Sequence, residues 1–382
     1  MTLEIPQEPQ PVPLWLDCDP GHDDAFAILL AAHHPQLKLL GITTVHGNAS
    51  LENTTANAGS ILEAIGRSDI PVYPGSKKPF CRLPVHAPSI HGSSGIDGTD
   101  LLPVPKVLPV TDVNPILAMR NALLAQPKDT AWVVATGALT NVGLLFATFP
   151  EVAEHVRGVS IMGGAIGSGF TDVPISKKPG EATRIGNTTP YSEFNIYTDP
   201  EAAKSILMSP ILAPKTTLIT LDLTHQVLAT QEIQSLILAT ETTDNSEPSV
   251  LRQILHALLT FFASSYDTVF GIDSGPPLHD PVAVAVLLSN LNDSQMAGRK
   301  DILQFNDNDG ERYIVDVVTN GSHGKDVQLT GEVGRTVAQK TVDSLGGVTI
   351  PVSMDVNKFW GIILDCLQRA EKCKAMQLAA NC

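Results

Sequence analysis

Residues 15–32, WLDCDPGHDDAFAILLAA, join a short apolar segment to a run whose apolar residues have helical spacing. Asp17, Asp19, Asp23 and Asp24 fall within eight positions of this stretch. A carboxylate at a helix start can cap the helix or oppose its dipole, which accounts for one or two of the four. Like charges this close repel one another when partly buried, and a bound cation relieves that repulsion. The stretch therefore predicts a cation site at the start of the first helix.

The rest of the chain alternates between strand-like and helix-like segments. Apolar runs typical of buried strands occupy residues 37–45, 70–75, 130–137, 156–164 and 216–222. Helical patterns occupy residues 50–66, 114–126, 139–150, 199–209, 249–270 and 280–290. Apolar strands that alternate with helices indicate a parallel sheet covered on both faces. The predicted fold is α/β, with an open, mostly parallel, doubly wound (Rossmann-like) sheet and helices on both faces.

The domain organisation is predicted to be simple. The chain has no internal repeat and no low-complexity linker, so residues 1–382 are expected to form one domain. Residues 1–12 are polar and Pro-rich and predict a flexible tail, and a C-terminal tail is expected from about residue 375 to residue 382. Between about residues 301 and 352 the pattern changes, and ILQFNDNDGERYIVDVV alternates around an Asn/Asp/Gly turn. That segment predicts a late β-hairpin appendage.

The composition of the chain limits which partners and which cell compartment we expect. The net charge of −15 argues against nucleic acid and anionic membranes, because little in the chain would neutralise phosphates. The N-terminus has neither the basic nor the apolar region of a signal peptide, and no apolar run approaches transmembrane length. The five cysteines form no CxxC pair. Reduced thiols are typical of the cell interior, so we expect a cytoplasmic (cytosolic) protein.

The residues that follow the predicted strands lie where ligands bind in an open parallel sheet, and as a set they are far more polar than the strands. Besides the four aspartates, they are His46, Gly47, Asn48, Thr136, Gly137, Met162, Gly163, Gly164, Asp222 and His225. Carboxylate and main-chain oxygens are ligands that suit Ca²⁺ or Mg²⁺. The spacing is not that of an EF-hand, because the twelfth position from Asp17 is Ile28, where a glutamate is needed.

Three kinds of enzyme site are compatible with an aspartate-rich strand end. Phosphoryl transfer on an aspartate fits the Asp17-x-Asp19 pair, but no convincing lysine and serine or threonine follow to hold phosphate. Dinucleotide binding fails because no G-x-G-x-x-G opens the first helix. Metal-assisted hydrolysis, in which carboxylates hold both a cation and a water, has no such conflict.

Motifs along the chain resemble one enzyme family. In order they are DCDPGHDDAFAILLA, GITTVHGN, ATGALTN, IMGG, EFNIYTDPEAA, LDLTHQVLAT, HDPVAVA and KFWGIILDCL. Nearly the whole chain resembles the inosine–uridine preferring nucleoside hydrolases. The resemblance implies hydrolysis of the N-glycosidic bond of ribonucleosides to ribose and free base, with a tightly held Ca²⁺, in nucleoside salvage or catabolism. Members of this family are homodimers or homotetramers, so we expect one of these states.

The resemblance also implies roles for single residues. Asp19, Asp24, Asp280 and the main-chain carbonyl of Thr136 are expected to bind the metal, and Asp19 is also the expected general base for the water on Ca²⁺. By the same resemblance, His279 is the expected general acid, which would protonate the leaving base. The expected ribose contacts are Asp23, Asn48, Met162, Asn187, Glu193, Asn195 and Asp280. The expected base contacts are His91, Phe194, Tyr266 and His279.

Physical chemistry supports these roles and adds a substrate preference. Positive charge develops on the ribose in an oxocarbenium-like transition state, and carboxylates around the sugar stabilise it. A 5′-phosphate directed at Glu193 would meet like charge, and no arginine or lysine is expected there. We therefore predict that nucleosides are substrates and nucleotides are not. Uridine is the first expected substrate, with other pyrimidine nucleosides or inosine as alternatives.

Other readings of the site residues stay open at this stage. His91 is alternatively a surface-loop histidine without a role, and Phe194, Phe262 and Tyr266 are alternatively core residues. Asp17 is expected to support its neighbours rather than bind the metal, His22 to have a local role, and His225 to be structural. The long segment 165–186 is a candidate lid, and residues 306–325 form an extension without an assigned role. The rival functions are a silent Ca²⁺/ribose-binding protein and a phosphatase.

Overall fold

The fold is that of a computed structural model, which describes residues 10–239, 247–289, 291, 302–324, 330–342 and 346–380. Residues 1–9 of the predicted N-terminal tail and residues 381–382 lie outside this range. The described strands are β1 (Val12–Cys18), β2 (Leu37–Thr44), β3 (Val72–Pro74), β4 (Trp132–Ala135), β5 (Gly158–Met162), β6 (Thr216–Ile219), β7 (Phe305–Asn306), β8 (Arg312–Val317), β9 (Thr336–Lys340), β10 (Val348–Thr349) and β11 (Ser353–Met354).

Nine of these strands form one sheet in the order β3-β2-β1-β4-β5-β6-β10-β8-β9. The first six strands and β10 run parallel, and β8 and β9 continue the sheet in antiparallel pairing. The predicted open and mostly parallel sheet is confirmed. The chain moves outward from β1 to β3 and then crosses to β4 on the other side of β1. This reversal opens a crevice at the carboxyl ends of β1 and β4, where ligands bind in such sheets.

Helices cover both faces of the sheet. They are α1 (Asp24–His33), α2 (Leu51–Ala64), α3 (Pro88–His91), α4 (Pro115–Leu124), α5 (Thr140–Thr148), α6 (Pro150–His155), α7 (Phe194–Thr198), α8 (Pro200–Leu207), α9 (Leu221–Thr224), α10 (Gln231–Leu238), α11 (Val250–Phe270), α12 (Asp280–Ala285) and α13 (Val356–Ala380). Single 3₁₀ turns occupy Ala213–Lys215 and Val286–Leu288. Within the described ranges, none of these helices has both the length and the apolarity to cross a membrane.

The core is divided by the sheet, as the side-chain alternation of a strand requires. Leu14 and Leu16 of β1 pack in one apolar cluster with residues of α1, α12 and α13. Trp15 belongs to a second cluster with residues of α4, α5 and α8. Both faces of β1 are therefore buried, which explains why its sequence is a continuous apolar run. The strand delivers its polar carboxyl end to the centre of the molecule.

The late β-region differs from the predicted hairpin. The turn at residues 307–310 joins β7 to β8, but β7 pairs with β11, and β8 pairs with β9 and β10. Tyr313, Val315 and Val317 of β8 are buried in the second core cluster. Because these side chains need the main core, β8 extends the main sheet and does not form a separate appendage with β7. The predicted hairpin around the Asn/Asp/Gly turn is therefore wrong, and β8 instead forms antiparallel pairs with β9 and β10.

The predicted tails are shorter than expected where the structure describes them. Val12 already belongs to β1 and pairs with Leu37, so the N-terminal boundary at residue 12 lies one residue too far along. Helix α13 continues to Ala380, well beyond the expected start of a C-terminal tail near residue 375. Its last turns are held to the body because Gln377 Nε2 donates to the carbonyl of Gly66 at 2.7 Å.

Candidate active site

A buried cluster of carboxylates lies at the carboxyl end of β1. Asp23 and Asp24 open α1, Asp280 opens α12, and one oxygen from each lies within 4.8 Å of the other two. The three side chains are at most 3% exposed. The main-chain amide of His279 donates to Asp23 at 3.4 Å, which links the two helix starts. Residues 256 positions apart in sequence thus share one site.

The neighbouring strand end holds Asp24 in place. The amide of Gly21 donates to one oxygen of Asp24 at 2.8 Å, and the hydroxyl of Thr136 donates to the other at 2.9 Å. Thr136 follows β4, the strand next to β1 at the reversal of the sheet order. These bonds orient the Asp24 carboxylate toward the centre of the crevice.

Asp19 lies directly beside this cluster and is fully buried. The amide of Asn48 donates to its Oδ2 at 2.7 Å, and the Asn48 side chain donates to its main-chain carbonyl at 3.1 Å. Gly47 has to be glycine, because a Cβ there would lie 1.9 Å from Asp19 Oδ2. The other oxygen, Oδ1, is buried and has no hydrogen-bond partner among the described residues. An unpaired carboxylate oxygen in such surroundings is costly unless a water or an ion meets it.

Burial and mutual repulsion disfavour the charged form of these acids. Burial raises the pKa of Asp19 and of Asp280 well above the usual range, and neighbouring carboxylates raise both further. Burial also raises the pKa of Asp24. Burial and the charge of Asp24 raise the pKa of Asp23 to about 7. A divalent cation would reverse these effects by favouring the ionised carboxylates.

The donor set fits a hard cation. It combines the carboxylates of Asp23, Asp24 and Asp280, the unpaired oxygen of Asp19 and nearby main-chain carbonyls. The carbonyl of Thr136 accepts a hydrogen bond from Asn195 Nδ2 at 2.8 Å and keeps a second lone pair. Sites built only from oxygen suit Ca²⁺ or Mg²⁺ rather than a softer metal. The cluster is therefore of the kind that holds a metal ion.

A cavity of about 530 Å³ opens above the carboxylates. Of the residues expected at the site, those that line it are Asp23, Asn48, His91, Thr136, Met162, Asn187, Glu193, Phe194, Asn195, Tyr266, His279 and Asp280. Asp19 and Asp24 are not in its lining, and both are buried next to the lining carboxylates. The structure thus brings every expected ribose and base contact to one cavity, and keeps the two remaining expected metal ligands behind its lining.

The carboxylate of Glu193 occupies one wall of this cavity. It caps α7, accepting from the amides of Asn195 and Ile196 at 2.8 and 3.0 Å, and it accepts from the amide of Gly164 at 2.9 Å. Burial raises the pKa of Glu193, and these three amide bonds oppose the rise. The carboxylate is therefore fixed in position by main-chain groups.

A tyrosine and a histidine form a second polar part of the cavity lining. The Tyr266 hydroxyl lies 2.6 Å from Nε2 of His279, and the Thr224 hydroxyl lies 2.7 Å from its Nδ1. Burial lowers the pKa of His279 well below the usual range and raises the pKa of Tyr266 well above it. Both ring nitrogens of His279 are thus engaged, one by Tyr266 and the other by Thr224.

The alternative readings of the aromatic residues are decided in part. Phe262 and Tyr266 are buried in a small apolar cluster with Phe270, and both also line the cavity. Phe194 lines the cavity and packs against Val85, Tyr197 and Val333. The same aromatic side chains therefore pack in the core and also line the cavity.

His91 is not a surface-loop histidine. It ends the short helix α3 and is 6% exposed, and its Nδ1 lies 3.1 Å from Nδ1 of His22. Gly21 allows this approach, because a Cβ there would lie 2.6 Å from His91 Nδ1. The alternative of an exposed histidine is wrong because α3 packs His91 against α11.

Asp17 and His225 do not line the cavity. Asp17 accepts from the Thr43 hydroxyl and, at 2.8 Å, from Asn141 Nδ2, and burial raises its pKa to about 7. His225 Nδ1 lies 3.3 Å from the carbonyl of Pro174, and burial lowers its pKa to about 4. Both side chains support neighbouring segments, in the manner expected of them.

Hydrogen bonds tie the long segment 165–186 to the body at several places, including Ala165, Pro174 and the contacts that follow. Asp222 accepts from the amides of Ile166 and Gly167 at 2.8 Å each, and the carbonyl of Phe270 accepts from the amide of Lys177 at 2.8 Å. These contacts bring Arg184 to the cavity wall. The expectation that no arginine lies near the ribose contacts is therefore wrong, because the position of this segment could not be read from its sequence.

Several residues in or next to the cavity were not identified from the sequence. Thr224, which bonds to His279, follows β6 and lies between Asp222 and His225, two residues that the strand-end rule had identified. Arg184 and His86 lie in long loops, where no periodic pattern marks them. Only the position of Thr224 just after a strand offered a signal.

Comparisons with known proteins agree with this site. A family model described as inosine-uridine preferring nucleoside hydrolase matches residues 14–361. The chain is 38% identical over 370 residues to the uridine nucleosidase of Saccharomyces cerevisiae, covering 94% of this chain and 97% of the yeast protein. It is 38% identical over 279 residues to a pyrimidine-specific ribonucleoside hydrolase of Shewanella woodyi, covering 72% of this chain and 79% of that protein.

Solved structures show the same fold. A plant nucleoside hydrolase superposes with a TM-score of 0.70 at 25% sequence identity, and the match covers 94% of this chain and 99% of that one. The similarity therefore includes the sheet, the helices and the strand ends that form the cavity. On a match of this extent, the chain belongs to the family of inosine-uridine preferring nucleoside hydrolases and is a hydrolase acting on N-glycosyl compounds.

Proposed function

We propose that this enzyme is a Ca²⁺-dependent nucleosidase that cleaves uridine and other pyrimidine ribonucleosides to ribose and free base. The observation that carries the proposal is that one cavity is lined by Asp23 and Asp280 of the acidic cluster, by the Glu193 carboxylate and by the Tyr266–His279 pair. The uridine preference is taken from the yeast and Shewanella relatives, whose names specify uridine and pyrimidine nucleosides.

Asp19, Asp24, Asp280 and the carbonyl of Thr136 would hold the cation. When bound, Ca²⁺ supplies charge that orients the ribose hydroxyls and favours ionisation of water. The unpaired Oδ1 of Asp19 is the oxygen available to take a proton from the attacking water. Its geometry is supported by the Asn48 amide, which fixes the other carboxylate oxygen.

The sugar would be held by hydrogen bonds from residues that line the cavity. Asp23, Asn48 and Asn195 face the 2′ and 3′ hydroxyls, while Asn187 and Glu193 take the 5′ hydroxyl. Fixed carboxylates are also suited to the positive charge that grows on the ribose as the N-glycosidic bond breaks. Met162 would pack against the sugar, because it lines the cavity and is almost fully buried.

The leaving base would meet His91, Phe194 and the Tyr266–His279 pair. The bond between the Tyr266 hydroxyl and His279 provides a route by which a proton reaches the departing base. Because burial keeps the His279 ring neutral, we assign proton delivery to the pair rather than to the imidazole alone. We further propose a cytosolic enzyme that forms a homodimer or homotetramer.

The test is release of ribose from uridine, cytidine, inosine, adenosine and guanosine by the full chain supplied with Ca²⁺. We expect hydrolysis of uridine above the others, and its loss in Asp19→Ala. Asp100→Ala is the matched control, because it makes the same change at an exposed aspartate outside the cavity. Absence of ribose from all five nucleosides would refute the proposal and leave a ribose- or calcium-binding protein as the alternative.

A further inference from the structure

The His22 ring lies away from the acidic cluster, although Asp23 and Asp24 follow it in sequence. Its Nε2 lies 2.8 Å from the main-chain oxygen of Asp97, and its Nδ1 lies 3.1 Å from Nδ1 of His91. The rings of Phe261 and Phe262 are parallel to it within 2°, with centroids at 5.0 and 5.4 Å. The imidazole is thus fully buried, with a defined partner on each nitrogen.

The two partners fix the direction of both hydrogen bonds. A carbonyl oxygen only accepts, so Nε2 of His22 carries the hydrogen. The ring is neutral because it is fully buried and stacked on aromatic rings, and neither of its nitrogens bonds to a carboxylate. A neutral imidazole has one N–H, so Nδ1 of His22 is an acceptor. His91 must therefore carry its own hydrogen on Nδ1 and donate it to His22.

This arrangement determines what His91 offers to the cavity. Burial lowers the pKa of His91 well below the usual range, so its ring is neutral as well. Because the hydrogen is on Nδ1, the Nε2 of His91 carries no hydrogen and can accept a hydrogen bond. Among the described residues, that nitrogen has no hydrogen-bond partner, and it is not cut off from solvent. His91 also lines the cavity. A hydrogen-bond acceptor therefore faces the place where a base would bind.

We propose that His22 is a positioning residue that fixes the Nδ1–H tautomer of His91, so that His91 selects nucleobases with an N–H donor on the facing edge. The selection rests on the nucleoside hydrolysis proposed above. The imide N3–H of uridine supplies such a donor. Cytidine has a bare N3, and 3-methyluridine has a methyl group there, so both lose the bond to His91. His91 in this tautomer accepts a hydrogen bond and does not protonate the leaving base.

The first test reads the tautomer without relying on any variant or on activity. The full chain with Ca²⁺ is labelled with ¹⁵N-histidine, and the His91 signals are assigned by their loss in His91→Gln. Bare and protonated ring nitrogens have well-separated ¹⁵N shifts. We expect a protonated Nδ1 and a bare Nε2 in His91. A protonated Nε2, or a doubly protonated ring, would overturn the proposal.

Two substitutions separate positioning from packing. His22→Phe keeps an aromatic ring beside Phe261 and Phe262 but removes the acceptor, so the fixed tautomer of His91 is expected to be lost. His22→Asn loses the ring but can place its side-chain oxygen near the former Nδ1, so the fixed tautomer is expected to persist. A His91 tautomer that is unchanged in a folded His22→Phe protein would contradict the positioning role.

The second test is the ratio of kcat/KM for uridine to that for 3-methyluridine. A single well-placed hydrogen bond supports a ratio of about tenfold or more in the unmodified enzyme. His22→Phe should lower this ratio, because only kcat/KM for uridine should fall. His22→Asn should give the ratio of the unmodified enzyme. An unchanged ratio in His22→Phe would overturn the selection by His91. Failure to hydrolyse any nucleoside would instead refute the proposed function, and the tautomer would still be measured.

Discussion

The Tyr266 hydroxyl lies 2.6 Å from Nε2 of His279, 13 residues along the chain, and both residues line the cavity. Thr224 bonds to the other nitrogen of the same imidazole at 2.7 Å. The pair is buried and touches the cavity, so its hydroxyl is well placed to exchange a proton with a bound base. The consequence can be measured by removing the hydroxyl oxygen.

Tyr266→Phe should lower kcat/KM for uridine by between about 100-fold and about 10,000-fold, the usual range for loss of a positioned proton donor. The aromatic ring remains, so packing against Phe262 and Phe270 is kept. Tyr313→Phe is the matched control, because Tyr313 lies on β8 outside the cavity and the change removes a hydroxyl that donates to Glu311. A loss below about tenfold in Tyr266→Phe, or an equal loss in the control, would contradict the assignment.

Asp280→Asn should change stability in opposite directions with and without Ca²⁺. Without the ion, the neutral amide removes charge from the cluster and can still donate to Asp24, as a protonated Asp280 does. The Tm of the chelated variant should therefore equal or exceed that of the chelated parent protein. With Ca²⁺ at about a hundred times its Kd, the parent protein gains about 2.7 kcal/mol, which the variant should largely lose.

Thermal denaturation with chelator and with Ca²⁺ measures both expected effects of Asp280→Asn on the Tm. Asp100→Asn serves as the control, since its exposed carboxylate lies outside the cavity. A Ca²⁺-induced rise in Tm that is equal in the parent protein and in Asp280→Asn would exclude Asp280 as a ligand.

The chelated protein should lose stability as pH rises from about 6.5 to about 8. Burial raises the pKa of Asp17 and Asp23 from 3.8 to about 7, so the folded state holds protons there that the unfolded chain has released. Their contribution is present at low pH and is lost as pH rises through about 7. Histidines such as His46, with a pKa lowered from 6.5 to about 4, have the opposite effect, which fades only as pH rises to about 7.5. Asp19 and Asp280, whose pKa values burial raises well above the usual range, add to the loss of stability across the whole window.

The measurement is Tm against pH in chelator and in Ca²⁺. Bound Ca²⁺ keeps its ligands ionised at both ends of this range, so the fall should be smaller in Ca²⁺ than in chelator. A Tm that rises with pH in chelator across this window would show that the aspartates are not the groups that titrate.

Uridine 5′-monophosphate should be hydrolysed at least about a hundredfold less efficiently than uridine, because its phosphate would lie near the Glu193 carboxylate. Arg184 lines the cavity, but its guanidinium already donates to the carbonyls of Gly186 and Thr189 and pairs with Glu181. The ratio of the two kcat/KM values should therefore be unchanged in Arg184→Gln. Comparable turnover of the nucleotide, or a ratio that depends on Arg184, would contradict this account.

The sequence predicted the parts of the fold that depend on local periodicity. The aspartates of residues 17–24 were expected between a strand and a helix, and they lie between β1 and α1. The parallel sheet followed from apolar runs alternating with helices. The partners of β7 and β8 were missed, because strand pairing depends on contacts between residues far apart in sequence. The buried Tyr313, Val315 and Val317 of β8 decide that pairing.

The site was predictable to the same extent. Strand ends indicated Asp19, Asn48 and Thr136 because the geometry of parallel sheets brings them together. The contact of His22 with His91 joins residues 69 positions apart, and that of Thr224 with His279 joins residues 55 positions apart. No local pattern encodes such pairs. They depend on how α3, α9 and α12 pack around the strand ends.

The most direct test of the central claim is ribose release from uridine by chelated protein to which single ions are restored. The account predicts no activity in chelator, full activity on addition of Ca²⁺, and none in Asp19→Ala with or without Ca²⁺. Activity that persists after complete chelation, or that Asp19→Ala retains, would contradict a calcium-dependent hydrolysis with Asp19 as its base.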